Sequence, residues 1–267
     1  MAVNKQLTDS YTALSGRILS SAGQLARNTF LGLGSWRDED IQRYLQTIQG
    51  ALTGAKREAA KLSLAYYKEV AKANGQPFKP FKLSDDIIST EAIRNGVDFT
   101  TVYSRPFVEL RTLLSQGKSL DVAKEAGALR AEMLARTDVQ LARRNASFTA
   151  RRGDDRVVGF VRVLSGSENC ALCYVASTQR YTRGNLQPIH PGCDCGEAQI
   201  YGNSDPGQII DQQLLNDTHE AIDTRFGSFD AGGRAIDYRK ELIVHEHGEL
   251  GPLLSIRGQH FTGPNDL

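Results

Sequence analysis

All four cysteines of this 267-residue chain fall between Cys170 and Cys195, as Cys170-Ala-Leu-Cys173 followed by His190-Pro-Gly-Cys193-Asp-Cys195. Two thiols in a CxxC turn can reach one ion, and a second pair arriving from a later loop completes the tetrahedron that zinc prefers. Cys170, Cys173, His190, Cys193 and Cys195 are five candidate groups for four positions, so one of His190, Cys193 and Cys195 does not touch the ion. A site with four protein ligands is closed to water, so the zinc would be structural and would tie together loop ends in a unit with little core of its own. Paired disulfides, a CxxC redox centre and an iron–sulfur site are the alternatives. The first needs an oxidising compartment, the second a βαβ frame that does not surround Cys170, and the third a different spacing.

The compartment bears on that choice. The first residues, MAVNKQLTDSYTALSGRILSS, lack a basic segment followed by a sustained apolar core, so no secretory signal is read there. No run approaches the length of a membrane span. A reducing cytoplasm, or a particle assembled in it, is the expected setting, with no membrane partner. A formal net charge of +1 gives the whole molecule no field to draw it onto nucleic acid, so any such binding would have to be local. With 40% hydrophobic and 24% charged residues the chain has what it needs to build a core.

Upstream of the cysteines the texture is helical. Residues 8 to 30 read as a weak helix interrupted by Gly16 and Gly23, an arm that is mobile or ordered by a partner. Ser35 and Asp38 open a long amphipathic helix with Ile41, Leu45, Ile48, Leu52, Ala55, Ala59 and Leu62 on one face, closing at Asn74-Gly75. A short helix is expected over Ser84 to Asn95. Arg105-Pro106 reads as the start of another that stops at Gly117. Ser119 then caps a helix to about Ala150, with Val122, Ala126, Leu129, Met133 and Leu134 as its buried stripe. From Val157 to Leu164 the residues are β-branched or bulky, which predicts a strand, and Glu197 to Tyr201 is a candidate return strand. Gly202 to Gly207 reads as a turn and Gln208 to Thr224 as a helix. The remainder reads as an irregular tail with a short helix near Tyr238 to Val244.

Arg136, Arg143, Arg144, Arg151 and Arg152 form a local basic cluster at the end of the long helix. A solvated face is the simpler reading, because Asp138, Asp154 and Asp155 lie close by; contact of Arg143, Arg144, Arg151 and Arg152 with nucleic acid or an acidic partner is the functional one. No GxSxG, HExxH, P-loop or GxGxxG pattern occurs. The best catalytic patch is His245-Glu-His247-Gly-Glu249, with Ser255 or Ser165 as a conceivable nucleophile, against the simpler reading of loop histidines. Cys170 or Cys173 with His190 as base is the other nucleophilic arrangement, and metal ligation would quench it. His219 and His260 are isolated, and Trp36, Tyr66 and Tyr67 read as packing residues.

Taken together, VLSGSENCALC (Val163 to Cys173), TQRY (Thr178 to Tyr181) and PIHPGCDC (Pro188 to Cys195) resemble the MuF-like head-morphogenesis family of tailed bacteriophages. That family joins a helical N-terminal region to a compact domain with a CxxC and a terminal HPxCxC element. GVDFTTVYSRPF (Gly96 to Phe107), TDVQLA (Thr137 to Ala142), HGELGP (His247 to Pro252) and FTGP (Phe261 to Pro264) resemble the versions in phages of actinobacteria, so the likeness spans roughly residues 90 to 267. It implies a minor capsid protein in few copies, associated with the portal, with major capsid or scaffold protein, and with packaged DNA. The implied location is the capsid interior or portal vertex of the virion, and the host cytoplasm during assembly. Closely similar phage proteins are also labelled capsid maturation protease.

The expected fold is α+β and predominantly α. Residues 1–34 are the arm, 35–152 a helical domain, 153–202 a small zinc-stabilised α+β domain, and 203–267 a helix plus an extended C-terminal tail. The expected function is assembly, with capsid maturation protease and a DNA-contacting ejected virion protein as the alternatives.

Overall fold

The computed structural model describes residues 5–164, 173, 176–190, 195–202 and 242–256. Six helices come first: α1 (Lys5–Leu31), α2 (Asp38–Ala73), α3 (Asp85–Ile88), α4 (Thr90–Ile93), α5 (Phe99–Ser115) and α6 (Leu120–Arg152). Strands β1 (Val157–Val163), β2 (Arg180–Thr182) and β3 (Gly196–Tyr201) form an antiparallel sheet in the order β2-β1-β3. Strands β4 (Leu242–His247) and β5 (Gly251–Ile256) form a separate hairpin. The molecule is therefore mostly helical with a small sheet region, as expected.

The chain divides into two compact units that are not consecutive stretches. One comprises 14–62 and 83–146, the other 1–13, 63–82 and 147–267.

The first unit is all helix. Its core includes Leu19, Ala22, Ala26 and Phe30 from α1, Tyr44, Leu45, Ile48 and Leu52 from α2, Val102, Tyr103, Phe107 and Leu110 from α5, and a run of alanines from α6. Phe30 meets Tyr44 and Phe107 edge-on, at centroid distances of 6.0 and 5.0 Å. Each such ring, fully buried, contributes roughly 1.5–3 kcal/mol. Over Leu19–Phe30 this differs from the reading of residues 1–34 as a mobile or partner-ordered arm; residues 1–4 lie outside the described residues. Within α1, Gly16 weakens local propensity, but the buried Leu19–Phe30 stripe supplies the packing that overrides it. Asp40 closes the α1–α2 connection by accepting from Ser35 N at 2.9 Å, Ser35 Oγ at 2.8 Å and Trp36 N at 2.8 Å.

Two helix expectations change. Pro106 does not start α5 but lies inside it; the true N-cap is Asp98, whose carboxylate accepts from Thr101 N at 2.9 Å. On α6 the stripe is displaced, since Val122 and Leu129 are more than half exposed, whereas Ala123, Ala128, Ala131, Leu134 and Ala135 are buried. Space decides this: a Cβ on Gly127 would stand 2.6 Å from the Phe30 ring and 2.9 Å from the Pro106 carbonyl, so only a small-residue face fits there.

A buried ion pair crosses the same core. Arg94 Nε donates to Asp138, whose other oxygen accepts from the Tyr103 hydroxyl at 2.9 Å. Lys56 Nζ reaches Thr90 Oγ1 nearby, at 3.0 Å.

The second unit contains the sheets. Tyr11 and Tyr66 stack at 4.3 Å, and the Thr8 and Tyr66 hydroxyls are 3.1 Å apart. β1 registers Phe160 against both Tyr181 and Gln199, and Arg162 against Glu197. Opposed residues of an antiparallel pair share a face, so Phe160, Arg162, Tyr181, Glu197 and Gln199 lie on one side of this sheet. Gly159 lets β2 come close, because a Cβ there would overlap the Tyr181 carbonyl. The short helix expected near Tyr238 to Val244 is corrected where described: Leu242–His247 is a strand. Ile243 and Val244 favour extended backbone, and Gly251, at φ +70, suits the turn. The Gly202 to Gly207 turn beyond Gly202, and the Gln208 to Thr224 helix, lie outside the described residues.

Candidate functional site

Three of the five expected ligand groups, Cys173, His190 and Cys195, are described. Cys173 and Cys195 are buried, at 1% and 2% exposure, in one small cluster against which Leu164 packs. Cys173 Sγ lies 3.1 Å from His190 Nε2. Cys195 immediately precedes β3, and His190 follows the bridge in which Ile189 pairs with Leu253 of β5. Ile189 N donates to Pro252 O at 3.2 Å and Leu254 N to Ile189 O at 2.6 Å. Gln187 Nε2 donates to Gly196 O at 3.1 Å. The loop that presents His190 is therefore tied both to β5 and to the start of β3. Cys170 and Cys193 lie outside the described residues.

Thiol and imidazole are donor types that zinc takes, and the two described thiols are withdrawn from water. Two zinc ligands at ordinary Zn–S and Zn–N lengths in a tetrahedron are about 3.6 Å apart, wider than the Cys173–His190 separation of 3.1 Å. Among the described residues no group of three or more His, Cys, Asp or Glu side chains converges on a single ion position.

The floor of this cluster is polar. Arg162 is buried, and donates to the Pro188 carbonyl two residues before His190. The Tyr181 hydroxyl donates to Ala176 O at 3.2 Å. Burial pushes the Tyr181 hydroxyl above its usual range; Arg162 opposes this, and the nearby Cys173 and Cys195 thiols add to it. The Tyr181 ring stacks on Phe160 at 4.9 Å. On the far side of Phe160 lies the Arg151 guanidinium, 3.9 Å from the ring centroid, bonded to Glu197 and to the Arg183 and Asn185 carbonyls.

That placement revises the arginine cluster. Arg143, Arg144 and Arg151 are buried, with Arg143 bonded to Ser15, so neither a solvated face nor a nucleic-acid surface is formed by them; Arg152 alone of the four candidates is exposed. Buried polar partners, invisible in linear spacing, draw them inward.

The histidine–serine patch is likewise built into the hairpin. His247 Nδ1 accepts from the Glu249 and Leu250 amides, each at 3.1 Å, so the imidazole caps the β4–β5 turn. Ser255 opposes Ile243, and its Oγ lies 3.5 Å from the Ile243 carbonyl; His245 opposes Leu253. His247 and Ser255 are thus at opposite ends of the hairpin register and form no nucleophile–base pair. Ser165, His219 and His260 lie outside the described residues. Trp36, Tyr66 and Tyr67 pack as read, Trp36 with its Nε1 on the Phe30 carbonyl at 3.0 Å.

Sequence reasoning passed over Arg162 and Tyr181. The signal was present for the first: a single charge inside the otherwise apolar run VVGFVRVL, which in a buried strand demands a partner. Compared with family models, with curated proteins and with solved structures, the chain matches none.

Proposed function

We propose that this chain is a minor capsid protein of a tailed bacteriophage, acting in head morphogenesis at the portal or capsid interior, with a structural zinc ion in its cysteine cluster. The family part of this reading rests on the likeness of the CxxC and HPxCxC elements to MuF-like proteins. The observation that carries the zinc part is the Cys173–His190 contact of 3.1 Å beside buried Cys195. Cys170 and Cys173 would hold the ion with two of His190, Cys193 and Cys195. A closed zinc site supplies cross-linking in place of catalysis, and ligand binding of this kind is folding free energy for a small unit. Portal protein and major capsid or scaffold protein are the partners.

Two measurements test this. Purified protein should contain about one zinc per chain, and Cys173→Ser should lose both the metal and thermal stability; a metal-free wild type that melts with the mutant refutes the zinc. Virions and proheads analysed by mass spectrometry should contain the chain at low copy number, and a deletion should block or misassemble heads. Its absence from particles, with normal heads in the deletion, refutes the assembly role.

A second reading is favoured by the same contact. A thiol 3.1 Å from an imidazole is also a nucleophile–base pair, which suits a capsid maturation protease acting on scaffold or major capsid protein. Metal-free protein incubated with unprocessed capsid protein decides: cleavage by wild type that disappears in Cys173→Ser and in His190→Ala supports the protease, and no cleavage removes it.

A further inference from the structure

In the helical unit, α1 and α2 run antiparallel on either side of the short connection 32–37, and near that end Phe30 of one meets Tyr44 of the other. Farther from the connection the two helices border an open groove of about 250 Å³. Its α1 wall presents Ile18 and Leu25, and its α2 wall presents Ala51 and Ala55. Arg17 from α1 and Glu58 from α2 stand together at the end away from the connection. Arg17, Leu25, Ala51 and Glu58 are exposed, and neither of the two charges takes part in an ion pair among the described residues.

Two glycines lie in α2 on this side. Gly54 is three residues from Ala51 and four from Glu58, which places it on their face of the helix, with Gly50 one turn before it. Glycine weakens the middle of a helix relative to alanine, so its presence there calls for a reason. Inside the chain there is none: both glycines are exposed, and a Cβ on either would meet nothing within 4 Å. Gly127 is the contrast, since there the Phe30 ring and the Pro106 carbonyl occupy the space a Cβ would need. What Gly50 and Gly54 leave open is the outer surface of α2, to which another backbone can come close.

We propose that this α1–α2 face joins two copies of the chain about a two-fold axis parallel to the helices, giving a four-helix arrangement. Rotation about such an axis keeps every residue at its height and sets α1 of each protomer against α2 of the other. Ile18 and Leu25 then meet a surface of glycine and alanine, large against small, as close helix packing requires. Arg17 meets the partner's Glu58, and the same pair forms a second time across the axis. A face with large side chains on one helix, small ones on the next and opposite charges at one level is complementary to itself. A single apolar helix from another protein would match only one half of it. The contact needs neither the zinc ion nor the cysteine loop.

The test is sedimentation velocity of the full chain over a concentration series, with circular dichroism to check folding. Wild type should pass from monomer to dimer as concentration rises. Gly54→Arg has open space for its Cβ in the monomer, so at concentrations where wild type is monomeric its melting temperature should not fall, while its dimer should weaken about tenfold or more. Arg17→Glu and Glu58→Arg each set like charges opposite one another and should weaken the dimer about tenfold, and the double reversal should return it to within about threefold of wild type. Charges that served only the monomer would show no such rescue. If Gly54→Arg does not fold, the reversals and their rescue decide. A wild type that stays monomeric at its highest soluble concentration overturns the proposal, whatever other protein binds the groove. Dimerisation that none of these variants alters, or that the double reversal fails to restore, overturns it as well.

Discussion

Arg94 and Asp138 form a buried pair whose remaining carboxylate oxygen is taken by Tyr103, so each charge depends on the other for its place in the helical core. Removing one partner leaves an uncompensated buried charge. Asp138→Asn or Arg94→Leu should therefore cost about 3–5 kcal/mol in urea unfolding, whereas Tyr103→Phe, which takes away one hydrogen bond, should cost about 1–3 kcal/mol. Asp154 makes a pH-dependent contribution. Burial acts to raise its carboxyl, but the side-chain and backbone hydrogen bonds from Arg156 outweigh this and hold it below the usual carboxylate range. A folded-state value below the unfolded one means stability that is fully present above the unfolded value of about 3.9 and is lost as pH falls through the lower folded value. Asp154→Asn should be less stable than wild type at neutral pH. The difference should close in denaturant titrations run from about pH 4 downward.

Among the elements, α6 shows how a correct helix can be read with the wrong face. Val122 and Leu129 have the size and spacing of core residues, yet around Gly127 the partner surface leaves room only for small residues, and these two side chains turn outward while Leu134 further along stays buried. Val122→Lys and Leu129→Lys should thus change the melting free energy by no more than about 0.5 kcal/mol, the usual range for surface positions. Ala131→Leu, by contrast, forces added volume into a filled interface and should cost about 1–3 kcal/mol. The strand β1 shows the opposite case. Its apolar run made it legible, while its partner β2 is three residues long and too short to announce itself by alternation. Gly159→Ala should disrupt this pairing, seen as lost amide protection over Arg180–Thr182 with the α1–α2 amides unchanged.

For the whole molecule, the division into units follows contacts and not chain order, with residues 1–13 and 63–82 belonging with the sheets. Metal removal is therefore expected to reach beyond the cysteine loop. Chelation should lower the melting temperature, and the amides of Ile189 and Leu254, bonded across the loop and β5, should lose protection together. Unchanged exchange at both after complete metal removal would show that the loop is held without zinc. The thiol–imidazole part of the candidate site was legible, because Cys173, His190 and Cys195 lie in one short stretch of chain. The polar group of Arg162, Tyr181, Glu197 and Arg151 was not, because its members are distant in sequence and are placed by strand register and, for Arg151, by the end of α6.

The long helices, the strand after Arg156 and the close of α5 just before Gly117 were readable from the chain alone, because periodicity and caps act over short spans. Tertiary structure alone decided that the first helix is core, that the small face of α6 turns inward and that three arginines are buried. It also decided that His247 caps a hairpin turn. Each of these depends on the volume and hydrogen-bonding groups offered by residues distant in sequence, and burial energy is set by what a side chain meets, not by what precedes it.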